Sequence, residues 1–227
     1  MGKKGGKRTY YIYLFRHGQT YYNKKGIFTG WLNSRLTPKG IRQAKIIARK
    51  LKNKKFQAAF YTKLSRSDET LKYVLKYHME CKKLVKDDRM IERSYGVLEG
   101  TSHEAFIAKI GKKLYNLEVE GDAMGTIRPA LRKQIERFLG RKEYESIHRG
   151  YDVAIKNGES YADVEKRVKS FIKDLVDYIK ENRVNVAISA HSNSIRLFRK
   201  IMENSSREEI SKWFIPYDKV FTYKIHV

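Results

Sequence analysis

The stretch YYIYLFRHG, residues 10–18, joins an apolar run directly to a charged one. The aromatic and aliphatic residues of Tyr10–Arg16 predict a buried β-strand. His17 and Gly18 follow Arg16 at the carboxyl end of this strand, which is the edge where α/β proteins bind their ligands. The stretch therefore predicts both the first strand of the fold and one side of a functional site.

Further along the chain, short apolar runs that predict strands alternate with amphipathic runs that predict helices. The strands are predicted at Ala58–Thr62, Lys83–Lys86, Asn185–Ala190 and Val220–Val227. Ser, Thr and Pro residues mark the helix starts. The predicted helices open at Thr37, Ser65, Thr101, Pro129, Ser160, Ser194 and Ser206, and Gly111 and Gly140 are predicted to end the third and the fourth. This alternation predicts an α/β fold, a three-layer sandwich around a mainly parallel central sheet.

The domain organisation is predicted to be simple. Residues 1–9 are predicted to form a flexible basic tail, and residues 10–227 a single catalytic domain. Within that domain, the segment of about 112–158 has the least regular pattern and is predicted to be an inserted cap. A chain of 227 residues is long enough to bury a substantial core.

The charge and the cysteine content bound the function. Lys and Arg number 49 against 25 Asp and Glu, a formal net charge of +24. Such a charge is typical of nucleic-acid-binding proteins, but a lysine-rich solvated surface gives the same value. The sequence has no helix-turn-helix, RNP-type or zinc pattern, so nucleic acid is only a remote alternative as the primary partner.

With a lone cysteine, no apolar run of about 18 residues and no secretion signal, a cytoplasmic location is predicted and no membrane partner is expected.

Further polar residues follow other strand ends, beside the expected position of His17. His191, Ser192 and Asn193 come directly after the strand at 185–190, and Arg66 opens the helix after the second strand. A single histidine after a strand is commonly a loop cap. Two His and two Arg (Arg16 and Arg66) at one sheet edge instead indicate a site for a tetrahedral phosphate, which guanidinium groups bind bidentately. No metal is expected, because neither His lies in a metal-binding pattern and the Arg side chains would repel a cation.

These motifs together resemble the histidine phosphatase superfamily, and within it the cofactor-dependent phosphoglycerate mutases. The resemblance covers nearly the whole chain from Tyr10 onward and implies a phosphoglycerate mutase-like fold. The residues that carry it are LFRHGQT at 14–20, Asn23, FTGW at 28–31, LT at 36–37, Arg66, ERSYG at 92–96, GES at 158–160 and AHSNSIR at 190–196.

The resemblance implies a mechanism with a phosphohistidine at His17. Arg16, Arg66 and His191 would then stabilise the oxygens of the phosphoryl group in flight. Glu92 is the candidate general acid and base, and its alternative role is a surface carboxylate paired with Arg93. The phosphoryl donor of a mutase would be 2,3-bisphosphoglycerate, and a homo-oligomer is compatible with the family. The substrate-binding residues that the resemblance implies are Asn23, Thr29, Gly30, Arg93, Tyr95, His103 and Asn193.

Three departures from the mutase pattern leave the reaction open. Ser192 replaces a glycine, His103 stands where the mutases carry a substrate-binding lysine, and Val119–Glu120 stand where they carry two arginines. Weaker retention of the intermediate would favour attack by water. The sequence therefore predicts a phosphoglycerate mutase acting on a small anionic phosphate ester, with a histidine-dependent phosphatase as the alternative.

Overall fold

A single twisted sheet forms the centre of the molecule in this computed structural model, which describes residues 8–118 and 127–227. Within these residues the sheet has the order β3-β2-β4-β1-β5. The first four are parallel to one another, and β5 is antiparallel to β1 at one edge. The strands are β1 (Thr9–Arg16), β2 (Ala58–Tyr61), β3 (Lys83–Lys86), β4 (Val186–Ala190) and β5 (Val220–His226).

Eight α-helices lie within the described residues, and capping residues predicted from the sequence start several of them. The Thr37 hydroxyl accepts a hydrogen bond from the backbone N–H of Gly40 at 3.0 Å. Ser160 and Asp163 cap each other's backbone N–H groups, as do Ser206 and Glu209. The helices are α1 (Tyr21–Lys25), α2 (Pro38–Leu51), α3 (Ser65–Leu75), α4 (His103–Glu118), α5 (Pro129–Arg149), α6 (Tyr161–Asn182), α7 (Ser192–Glu203) and α8 (Arg207–Lys212).

The two faces of the sheet carry separate helix layers, because successive side chains of a strand point to opposite faces. On one face, Ile12 and Leu14 of β1 pack against α6 and α7. On the other face, Tyr13 and Phe15 pack against α2 and α3. The predicted three-layer α/β sandwich with a mainly parallel sheet is therefore confirmed.

The chain boundaries differ slightly from the prediction. Strand β1 begins at Thr9, one residue earlier than predicted, because the backbone of Arg8 already pairs with that of Val227 at 2.9 Å. Thr9 therefore does not belong to the predicted tail at 1–9, of which residues 1–7 lie outside the described part of the chain. Val119 and Glu120 lie outside it as well. Among the described helices, none is long and apolar enough to cross a membrane.

The predicted ends of two helices, at Gly111 and Gly140, are wrong. Helix α4 continues through Gly111 to Glu118, and α5 continues through Gly140 to Arg149. A Cβ atom at Gly111 would lie 1.9 Å from the Glu136 carbonyl oxygen, and one at Gly140 would lie 2.0 Å from the Ile107 carbonyl oxygen. The two glycines therefore let the backbones of α4 and α5 touch where the helices cross.

Candidate active site

The two histidines singled out in the sequence lie side by side at the carboxyl edge of the sheet. Strands β1 and β4 are parallel neighbours in which Arg16 pairs with Ala190. His17 and His191 directly follow these two residues, and the backbone N–H of His17 donates to the Ala190 carbonyl at 3.1 Å. The centroids of the two imidazole rings are 5.0 Å apart.

The surroundings of His17 favour a neutral ring with a lone pair on Nε2. Its Nδ1 lies 2.7 Å from the Gly18 carbonyl oxygen. Since a carbonyl can only accept, Nδ1 carries the proton and Nε2 is left unprotonated. Burial lowers the pKa of His17 well below 6.5, and the positive charges of Arg66 and Arg16 lower it further. His17 is therefore available as a nucleophile at neutral pH.

His191 is held beside His17 by a residue of a third strand end. Its Nε2 lies 2.8 Å from the Oγ1 atom of Thr62, which follows β2. Burial lowers the pKa of His191 well below 6.5, and the charge of Arg66 adds to this effect. The ring is therefore neutral, and it can donate only one N–H to a ligand.

Arg16 and Arg66 bring two buried positive charges to the same edge. Arg16 donates from Nη1 to the Ile215 carbonyl (2.8 Å), and its guanidinium carbon lies 3.9 Å from the centroid of the Tyr217 ring. Arg66 donates to the carbonyl oxygens of Leu32 (2.8 Å) and Gly30 (2.7 Å).

Burial lowers the pKa of Arg66 to about 10, so its charge is kept at neutral pH. Arg16 is also buried, and its Nε atom has no protein partner. Unused N–H groups on both guanidinium groups are thus left for an anionic ligand.

Glu92 lies at the N-terminal end of α7 and does not face solvent. Its carboxylate accepts hydrogen bonds from the backbone N–H groups of Arg93 (2.8 Å), Ser192 (3.1 Å) and Asn193 (3.1 Å). The side chain is 7% exposed, so the alternative of a surface carboxylate is wrong. A carboxylate is stabilised there because helix N-terminal N–H groups attract negative charge.

A pocket of about 210 Å³ adjoins Arg16 and Glu92, whereas His17, Arg66 and His191 are not among the residues that line it. His103 of α4 and His148 of α5 form part of its wall, and of these two helices only α5 lies wholly within the predicted cap at about 112–158. The lining residues are Arg16, Asn23, Ile27, Phe28, Thr29, Glu92, Tyr95, His103, His148, Ser192, Asn193, Arg196 and Tyr217. Of the predicted substrate-binding residues, Asn23, Thr29, Tyr95, His103 and Asn193 thus line the pocket.

Gly30 and Arg93, which the resemblance assigned to substrate binding, do not line it. The Gly30 carbonyl accepts from Arg66, so this residue acts on the site through that guanidinium. The Arg93 side chain is completely buried and donates to the carbonyl oxygens of Glu159, Ile147 and Val153. These three bonds involve all three nitrogen atoms of the guanidinium group, so Arg93 ties α5 and the loop that follows it to the domain.

The sequence analysis missed His148, which α5 places in the pocket wall. Its Nδ1 lies 3.0 Å from the hydroxyl of Tyr95, and burial lowers its pKa to about 3. His103 lies nearby with its Nδ1 3.3 Å from the Tyr144 hydroxyl, and burial lowers its pKa too. Tyr144 and His148 are four residues apart and therefore share one face of α5. The sequence would have indicated this pair if the helix had been predicted to continue past Gly140.

Comparison with known proteins gives a consistent result. A sequence model of the histidine phosphatase superfamily (branch 1) matches residues 12–124 and 121–226. The 2,3-bisphosphoglycerate-dependent phosphoglycerate mutase of Neisseria meningitidis serogroup C is 30% identical over 220 residues, 94% of each chain.

Two solved structures share the fold. The phosphoglycerate mutase from Bacillus anthracis superposes with a TM-score of 0.68 at 20% identity, covering 97% of this chain and 92% of its own. A mycobacterial glucosyl-3-phosphoglycerate phosphatase superposes with a TM-score of 0.64 at 20% identity, covering 90% and 84%. At these identities the likeness establishes the fold, which mutases and phosphatases share.

Proposed function

The chain belongs to the histidine phosphatase superfamily, and from this premise we propose that it is a phosphoglycerate mutase that interconverts 3-phosphoglycerate and 2-phosphoglycerate. One observation carries the chemistry: the neutral His17, with Nε2 unprotonated, lies among the buried charges of Arg16 and Arg66. The choice of mutase is supported by the similarity to curated mutases over 94% of the chain.

In the first step, Nε2 of His17 attacks the phosphorus of a phosphate ester. The N–P bond forms as the ester P–O bond breaks, and the departing oxygen takes a proton from Glu92, which binds that proton when the anionic phosphate ester enters beside it. Arg16, Arg66 and the N–H of His191 bind the phosphoryl oxygens while charge builds up on them. Phosphoryl transfer depends mainly on such positioning and electrostatic stabilisation.

In the second step the phosphoryl group passes from His17 to the free hydroxyl of a bound 3-phosphoglycerate. Glu92 now removes the proton from this hydroxyl as its oxygen attacks phosphorus, and His17 leaves as neutral imidazole. The backbone N–H groups of Ser192 and Asn193 hold the carboxylate in place through both steps. The ester formed is 2,3-bisphosphoglycerate. When His17 attacks its other phosphoryl group, 2-phosphoglycerate is released and the phosphohistidine is restored, so 2,3-bisphosphoglycerate also supplies the phosphoryl group that first loads His17.

A specific observation favours a phosphatase as the second candidate. Within the described part of the chain, the cationic residues that line the pocket are Arg16 and Arg196, and neither belongs to the cap. His103 at the start of α4 and His148 of the cap contribute neutral side chains to the wall. A substrate with a second anionic group would be held less tightly there, and water would then compete for the phosphohistidine.

A product assay tests both candidates. The enzyme is incubated with 3-phosphoglycerate and a catalytic amount of 2,3-bisphosphoglycerate, with His17→Gln as the control. Appearance of 2-phosphoglycerate supports the mutase, and release of inorganic phosphate alone supports the phosphatase. If the folded protein yields neither product, or if His17→Gln is as active as the wild type, the proposed function is wrong.

A further inference from the structure

The positive charge of this protein is concentrated in one part of the sequence. The first 67 residues contain 18 of the 49 Lys and Arg residues and none of the 25 Asp and Glu residues, since the first acidic residue is Asp68. Their net charge is therefore +18, whereas the remaining 160 residues have a net charge of only +6. A generally lysine-rich composition would not remove acidic residues from one segment alone. This separation of basic from acidic residues along the sequence indicates a basic surface that binds an anionic partner of its own.

Much of this charge lies on helix α2 and the turn that follows it. Helix α2 forms one helix layer together with α3, on the sheet face opposite α6. Within α2, which is described over its whole length, none of the exposed side chains is a large hydrophobic one. The exposed cations of this region are Lys39, Arg42, Lys45, Arg49, Lys50, Lys52, Lys54 and Lys55.

Two adjoining clefts, of about 460 and 300 Å³, run along the seam between α2 and α3 and share Tyr73 and Lys76. We call them together the α2/α3 groove. The smaller cleft is lined by Lys45, Ala48, Arg49, Tyr73, Lys76 and Tyr77, and the larger by Arg35, Leu36, Ile41, Glu69, Lys72, Tyr73 and Lys76. Glu69 is therefore the acidic residue of a groove lined otherwise by cations, tyrosines and small or aliphatic residues.

Aromatic rings and cations alternate in this groove. Tyr77 is 48% exposed, and the Nζ atom of Lys52 lies 5.7 Å from the centroid of its ring. The Nζ atom of Lys76 lies 5.4 Å from the centroid of the Tyr73 ring. The groove thus offers ring faces for stacking beside charges that can neutralise phosphates.

The groove is separate from the active site. Helices α2 and α3 both begin at the active-site edge of the sheet, where the backbone N–H of Thr37 donates to Gln19 and where Arg66 lies. Lys45, Arg49 and Tyr73 lie in the later turns of the two helices, which lead away from that edge. Neither cleft shares a lining residue with the pocket beside His17.

We propose that the α2/α3 groove binds single-stranded nucleic acid, as an activity separate from phosphoryl transfer. Its Lys and Arg side chains pair with backbone phosphates, and Tyr77 and Tyr73 stack on unpaired bases, the combination that single-strand-binding proteins use. A duplex would bind less well because its base faces are not accessible. An anionic membrane is the poorer fit, because none of the exposed side chains of α2 is a large hydrophobic one that could insert between lipids.

The first test is a matched pair of charge reversals, assayed by fluorescence anisotropy with labelled single-stranded RNA and DNA of about 16 nucleotides. K45E/R49E changes the groove, and K169E/K173E makes the same charge change on exposed residues of α6. We expect at least tenfold weaker binding for the first variant and less than threefold for the second. The slope of log affinity against log salt should fall by about 1.4 in K45E/R49E, roughly 0.7 for each lost phosphate contact to a single strand. Thermal unfolding checks that both variants are folded.

The second test separates base stacking from charge. Tyr77→Ala should weaken oligonucleotide binding about tenfold, whereas Tyr77→Phe should retain it, and neither should change binding of inorganic polyphosphate, which has no bases. The proposal is overturned if the two charge reversals weaken binding equally, or if Tyr77→Ala has no effect. It is also overturned if K45E/R49E abolishes binding to anionic vesicles but leaves oligonucleotide binding unchanged.

Discussion

Three buried neutral histidines should make the stability of this protein depend steeply on pH just below neutrality. The pKa values of His17, His191 and His148 are all lowered by burial, that of His148 to about 3. In the unfolded chain each takes up a proton near its ordinary pKa of about 6.5. Because the folded pKa values are the lower ones, the unfolded state binds more protons, and stability is lost as pH falls below about 6.5.

The size of this loss follows from the number of protons. At a pH one unit below its unfolded-state pKa, each histidine lowers the free energy of unfolding by about 1.4 kcal/mol. At a pH of about 5.5 the three together therefore lower it by about 4 kcal/mol. A domain is typically stable by about 5–15 kcal/mol, so this is a large share of the total. Carboxylates with lowered pKa values, such as Asp87 and Glu203, act in the same direction but only in more acidic solution.

Urea unfolding followed by circular dichroism at a series of pH values measures this dependence. His17→Gln removes one of the three groups, so the loss between neutral pH and pH of about 5.5 should shrink by about one third. The control is His226→Gln on the exposed edge strand, which should leave the dependence unchanged. A stability that is flat across this range, or an unchanged dependence in His17→Gln, would refute the conclusion that His17 is held neutral.

Three further substitutions test the assignment of individual residues. Arg66→Ala should lower the phosphoryl-transfer rate about a hundredfold or more, as removal of one transition-state donor commonly does, and a wild-type rate in steady-state kinetics would exclude Arg66 from the site. Arg93→Met should lower the free energy of unfolding in urea by about 3 kcal/mol, because three partly buried carbonyl groups lose their donor, and a stability equal to the wild type would contradict its structural role. Gly111→Ala should lower the melting temperature in calorimetry, because the new Cβ would lie 1.9 Å from the Glu136 carbonyl oxygen, whereas an unchanged melting temperature would show that α4 and α5 are free to separate.

The sequence predicted the sheet and the centre of the site because both depend on local signals. An apolar run that ends in Arg-His-Gly and another that ends in Ala-His-Ser place His17 and His191 at strand ends, and parallel pairing of β1 and β4 brings them together. Residues such as Thr37 and Ser160 mark helix starts through hydrogen bonds within one turn, so they too could be read from the sequence.

The cap could not be predicted in the same way, because its form depends on contacts between distant residues. Gly111 and Gly140 look like helix ends in sequence, yet each lies where two helix backbones touch. Arg93 looks like a substrate ligand beside Glu92, yet its partners are carbonyl groups more than fifty residues away. His148 reaches the pocket only because α5 continues past Gly140, so the error at that glycine also concealed the histidine.

The most direct test of the account is to locate the covalent intermediate. The enzyme is incubated with 2,3-bisphosphoglycerate carrying a labelled phosphoryl group, quenched in alkali and mapped by peptide mass spectrometry. The account predicts an acid-labile, base-stable phosphoryl group on His17, absent from folded His17→Gln. A phosphoryl group on His191, or equal labelling of His17→Gln, would contradict the assignment of His17 as the nucleophile.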